Sequence, residues 1–103
     1  MSDPMRIRAS VVGEKIEVKI LMSHPMESGL RKNADGSLIP AHFIERVVVS
    51  CKGKTVLAAD WGPSVSKNPY LSFRFTGAAK GDLVSVTWTD NKGDTRTDEA
   101  AIA

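Results

Sequence analysis

Ile7-Arg8-Ala9-Ser10-Val11-Val12-Gly13-Glu14-Lys15-Ile16-Glu17-Val18-Lys19-Ile20 decides the fold class. Ile7, Ala9 and Val11 fall on one side of an extended chain. Beyond Val12-Gly13-Glu14, Ile16, Val18 and Ile20 do the same, with Glu17 and Lys19 opposite. A period of two marks a half-buried strand, because successive side chains leave the backbone on opposite faces. Two such runs with a glycine between them predict a hairpin.

The same grammar continues outward. Phe43, Val47, Val49 and Cys51 are in register across residues 43–51, and Lys52-Gly53 follows as a turn. Residues 55–61 are less regular. Leu71, Phe73 and Phe75 alternate with Ser72, Arg74 and Thr76, and Val84, Val86 and Trp88 with Ser85, Thr87 and Thr89. Asn91-Lys92-Gly93 then turns the chain into a polar stretch over 95–102. No segment carries a helical repeat of useful length. About seven short strands with hairpin turns predict an all-β chain, an immunoglobulin-like antiparallel β-sandwich. With no linker or internal repeat, one domain is expected over residues 1–103.

Composition excludes several classes. The 103 residues are 42% hydrophobic and 25% charged, enough to bury a core without staples. Fourteen basic and twelve acidic residues give a net charge of +2, and the basic ones are scattered, so no nucleic-acid partner is expected. No apolar run approaches the roughly 18 residues of a membrane helix. A single cysteine excludes an internal disulfide and a multi-cysteine zinc site. Met1-Ser2-Asp3-Pro4-Met5-Arg6 lacks the charged-then-apolar layout of a secretory signal, so no signal peptide of its own is expected.

Two stretches interrupt the strands, residues 23–41 and 62–69, and long loops on a rigid scaffold are where binding residues concentrate. Ser23 and His24 point to opposite faces of an extended chain, so they form no nucleophile–base pair; His42 meets His24 only through the fold. Without a nucleophile elbow or a phosphate loop, no enzyme and no cofactor is expected. Met22, His24 and Met26 share one face if extended, a thioether and imidazole set that suits Cu(I), with Cys51 or His42 available to complete it. That makes a small periplasmic copper- or ligand-binding sandwich the alternative function. Against it, Pro25 breaks the geometry, Met22 fits the core edge of the second strand and Met26 packs at a loop. Cys51 could be a reactive thiol, a partner-disulfide site or a core residue; its shared parity with Val47 and Val49 favours the core, and the sequence leaves its burial open. Trp88 follows Val84 and Val86 inward. Trp61 and Tyr70 flank the 62–69 loop and suit either core packing or a partner.

Longer stretches carry a family resemblance. Ser-His-Pro-Met-Glu-Ser-Gly-Leu-Arg-Lys (23–32), Ile-Pro-Ala-His-Phe-Ile (39–44) and Trp-Gly-Pro-Ser-Val-Ser-Lys-Asn-Pro-Tyr-Leu-Ser-Phe (61–73) resemble the SoxZ family. So do Trp-Thr-Asp-Asn-Lys-Gly (88–93) and Thr-Asp-Glu-Ala (97–100). The resemblance implies an immunoglobulin-like fold and a non-catalytic role in bacterial thiosulfate oxidation. It implies a heterodimer with SoxY, whose cysteine in a glycine-rich C-terminal arm carries the sulfur intermediates while other Sox enzymes dock transiently. It also implies a periplasmic location, reached by export with SoxY. Cys51 has neither the terminal position nor the glycine context of that carrier cysteine. Within the resembling stretches, side-chain chemistry selects His24, Met26, Leu30, Arg31, His42, Phe43, Trp61, Lys67 and Tyr70 as partner-interface or docking residues. No metal ligand is assigned.

Overall fold

A computed structural model describes residues 3–103. Its strands are β1 (Arg6–Val12), β2 (Lys15–Leu21), β3 (Ile44–Cys51), β4 (Lys54–Asp60), β5 (Tyr70–Phe75), β6 (Leu83–Asp90) and β7 (Thr95–Ala101). They form a three-stranded sheet, β1-β2-β5, and a four-stranded sheet, β4-β3-β6-β7. All neighbours run antiparallel. This is the expected all-β sandwich.

Central strands bury their apolar parity completely. Ile16, Val18 and Ile20 of β2 are buried against Val47 and Val49 of β3 and Val84, Val86 and Trp88 of β6 in one cluster. On β5, an edge strand, Leu71, Phe73 and Phe75 are only partly buried. β1 is an edge too: Ala9 is buried, Ile7 half-buried and Val11 exposed, so the expected inward face of that strand fades toward its end. Ile102 closes the polar last stretch with a buried side chain.

Two bulges correct the sequence expectation. Phe43 does not continue the inward parity of Val47 and Val49; Ile44 is buried in its place. The pairing of β3 with β6 shifts between Ile44 and Arg46, so Glu45 is an extra residue, and its carbonyl accepts from the Trp61 N–H at 2.8 Å. One extra residue exchanges the faces of everything before it. In β4 the register opposite Val49 and Ser50 passes from Leu57 to Thr55. Val56 is thus extra, which accounts for the irregular pattern there.

Residues 23–41 are not a simple loop. Glu27 pairs with His42 and Lys32 with Leu38, and Ile39 N–H donates to Arg31 O at 2.8 Å. A turn at Asn33 and Gly36 closes the tip. At Gly29, where φ is +85°, a side chain would be strained by the left-handed backbone, and an added Cβ would lie a tight 3.2 Å from that of Ala41. Residues 30–38 are exposed throughout, a finger leaving the sandwich. The molecule measures 53 × 22 × 20 Å with a radius of gyration of 15.4 Å, against about 13 Å for a compact chain of this length.

The bulge at Glu45 makes an energetic prediction. Ile44→Ala should cost about 2–5 kcal/mol of stability and Phe43→Ala clearly less, read from urea unfolding midpoints. Equal losses, or the reverse order, would restore the unbroken register.

Candidate functional site

The even-numbered parity of β6 ends on a carboxylate. Asp90 follows Val84, Val86 and Trp88 inward and is 2% exposed. Its Oδ1 accepts from the backbone N–H of Lys92 at 3.0 Å and of Asp94 at 2.9 Å, closing the β6–β7 turn. Its Oδ2 lies 3.0 Å from His24 Nε2 and 2.7 Å from His42 Nε2. Four donors converge on one buried carboxylate, whose burial would otherwise cost several kcal/mol.

The loop before β3 supplies both imidazoles. Pro25 and then Met26, at φ +48°, reverse the chain after His24. A left-handed backbone is uncommon for a methionine and needs support from its surroundings. That support comes from the Met26 N–H, which donates to His24 Nδ1 at 3.1 Å, and from the Ile44 N–H, 3.3 Å from Met26 Sδ. His24 Nδ1 is therefore an acceptor, and the proton of the neutral ring sits on Nε2, facing Asp90. The two histidine rings meet edge to face at 4.5 Å, and Trp88 meets His24 in the same way at 5.0 Å. Asn68 Oδ1 accepts from the His24 N–H, and the Asn68 N–H donates to His24 O. On the other side Asn91 accepts from Phe43 N–H, donates to Phe43 O and donates through Nδ2 to Ala41 O.

Electrostatics follow from this packing. Burial holds the His24 imidazole below its ordinary pKa, outweighing the hydrogen bond that it donates to Asp90. Burial pushes the Asp90 carboxyl up, yet the hydrogen bonds from His24, His42 and the N–H groups of Asp94 and Lys92 hold it below the usual carboxylate range. Beside the cluster lies a cleft of about 300 Å³, lined among others by Asp3, His42, Lys67, Trp88 and Asp94.

His24, His42 and Asp90 bring their ligand atoms within 4.8 Å of one another. A metal-ligating histidine normally donates its second N–H outward; His24 instead accepts there, and its Nε2 carries the proton. The geometry is that of two imidazoles donating to a carboxylate. The Met22, His24, Met26 set is not assembled either. Both His24 nitrogens and Met26 Sδ are engaged in hydrogen bonds, and Met22 is buried in the core.

The family profile described as "Sulphur oxidation protein SoxZ" matches residues 5–101. The chain belongs to the SoxZ family. Its role accordingly lies in sulfur oxidation, within a system in which a SoxZ chain has a Sox partner. No curated protein matches the sequence. Among solved structures, superoxide reductase (neelaredoxin) from Archaeoglobus fulgidus in the reduced form is similar in fold. Its TM-score is 0.59 at 16% identity, covering 97% of this chain and 86% of that one.

In this SoxZ chain the expected docking residues divide. Leu30 and Arg31 sit on the finger, Leu30 82% exposed and Arg31 ion-paired with Glu27. Tyr70 is 60% exposed on β5, opposite the exposed Leu21 of β2, and Lys67 is exposed on the loop before it. Trp61, Phe43 and His42 are half-buried. His24 and Met26, expected among the docking residues, are buried at the finger's root, 3% and 6% exposed. Cys51 is buried, the position its parity favours, and burial pushes its thiol up, away from reactivity. Sequence reasoning missed Asp90, Asn91 and Asn68. The signal for Asp90 was its shared parity with Val84, Val86 and Trp88.

A pH dependence follows. His24 is held neutral in the fold and titrates near 6.5 when unfolded, so the unfolded chain takes up the proton first on acidification. This contribution is whole above about pH 6.5 and is lost below it, until the folded His24 titrates as well. Asp90 adds a second loss only at acid pH, as the pH falls through its lowered pKa. Urea midpoints measured from neutral to mildly acid pH should fall in wild type and run flatter in His24→Gln; parallel curves would refute the assignment. Asp90→Ala, which strands the donors around it, should cost on the order of 3–5 kcal/mol.

Proposed function

We propose that this chain is the non-catalytic platform subunit of a sulfur carrier, binding a SoxY-type subunit whose C-terminal cysteine holds the sulfur intermediates of thiosulfate oxidation. The observation that carries the reading is the family match over residues 5–101. In this reading the pair works in the periplasm, exported together with the partner, and other Sox enzymes dock on it transiently. A fixed platform raises the local concentration of the tethered sulfur near each enzyme.

Features of the surface support it. Leu30 and Leu38 on the finger, and Leu21 with Tyr70 on the outer face of the smaller sheet, are large apolar side chains left in solvent. Aromatic and aliphatic side chains of this kind anchor interfaces. The buried Cys51 supports placing the reactive thiol on the partner. Leu30, Arg31, His42, Phe43, Trp61, Lys67 and Tyr70 are the docking residues proposed.

Co-expression with a SoxY-type chain followed by size-exclusion chromatography tests this. A stable one-to-one complex is expected, with Leu30→Asp or Tyr70→Ala weakening it at least about tenfold, roughly 1.4 kcal/mol. A chain that stays alone beside folded partner would overturn it.

A further inference from the structure

Of the two imidazoles on Asp90, one is spent and one is not. Both His24 nitrogens are hydrogen-bonded and its ring is buried. The His42 side chain is 24% exposed and lines the cleft of about 300 Å³. Its Nε2 is held at 2.7 Å by Asp90 Oδ2, which leaves Nδ1 without a hydrogen-bond partner among the described residues. A carboxylate that orients an imidazole by one nitrogen and leaves the other free toward a ligand is the arrangement by which histidines accept protons from hydroxyls and thiols.

The rest of the cleft bears on what it receives. Lys67 lines it, as does Trp88, whose indole Nε1 is buried with no acceptor among the described residues. The Asp3 and Asp94 carboxylates line it as well and oppose a negative charge. Asn68 accepts from the His24 N–H through Oδ1, so its amide nitrogen remains a donor on the same wall. The mixture fits a neutral group that becomes an anion in place, beside a base, better than a ligand arriving with its charge.

We propose that His42 is the proton acceptor for a thiol that enters this cleft on an extended arm of the partner subunit. The inference rests on the carrier reading above. The S–H bond breaks, its electron pair stays on sulfur, and the proton bonds to His42 Nδ1. The imidazolium then lies between the thiolate and Asp90, with Lys67 adding positive charge. No electrons change hands, and returning the proton restores both groups. The thiolate is the nucleophilic form of sulfur, so parking the arm here readies its cysteine.

The complex with its thiol-bearing partner provides the test. Alkylation of the partner's cysteine by iodoacetamide is followed across pH, with mass spectrometry assigning the adduct to that chain. At about pH 7 the wild-type complex should react about tenfold faster than His42→Gln, which keeps an N–H donor for Asp90 and removes the basic nitrogen; this equals about one pH unit in thiol pKa. Lys67→Met should fall between them. In His42→Ala, free imidazole should restore the rate, which a purely structural role would not allow. Complexes that form but alkylate identically with and without the His42 imidazole overturn this inference alone. Failure to form the complex overturns the carrier reading and this inference with it.

Discussion

The buried carboxylate of Asp90 is the constraint on which the arrangement at this end of the sandwich depends. It closes the β6–β7 turn through Oδ1 and gathers the two histidines through Oδ2. An ionised group at that depth is tolerable only when its lone pairs are all met. Each of the four donors is therefore placed by a need of the carboxylate, and each drags a piece of backbone with it. His24 brings the strand end of β2, His42 brings the root of the finger, and Lys92 and Asp94 bring the hairpin.

From that anchor the rest of the loop region follows. The reversal at Pro25 and Met26 is a strained conformation, and it is held because His24, already fixed on Asp90, offers Nδ1 to the Met26 N–H. Met26 then meets the Ile44 N–H beside the bulge that starts β3. Asn91, next to Asp90, pins residues 41 and 43. The finger consequently leaves the sandwich from a rigid base, although its own residues 30–38 lie in solvent. A projecting element with a fixed root has less conformational freedom left to lose in any contact that it makes.

The division of the two histidines connects structure to function. They sit on one carboxylate oxygen, yet burial and a second hydrogen bond make His24 a structural donor, while His42 beside the cleft keeps a nitrogen with no partner among the described residues. Identical side chains thus take different roles through their surroundings alone. In a family engaged in sulfur oxidation, this chain combines a buried thiol with a partly exposed imidazole that lines a cleft.

Alternation in Ile16, Val18 and Ile20 and in Val84, Val86 and Trp88 was enough to establish strands and a sandwich, because strand periodicity is local and both runs lie in central positions buried along their length. It also favoured a core position for Cys51 without deciding its burial. The longer stretches around residues 23–44 and 61–73 carried the family. Phe43 was misplaced, because a bulge is one residue whose effect on parity no local pattern announces. The site itself lay beyond local reading: His24, His42 and Asp90 are separated by as many as 66 positions, and Met26 looked like a surface residue until a left-handed turn put it inside. Local sequence determines which residues alternate and where the chain can turn. Only the tertiary structure decided which polar groups share a carboxylate, because a buried charge selects its partners from whatever the packed sheets bring within hydrogen-bonding distance.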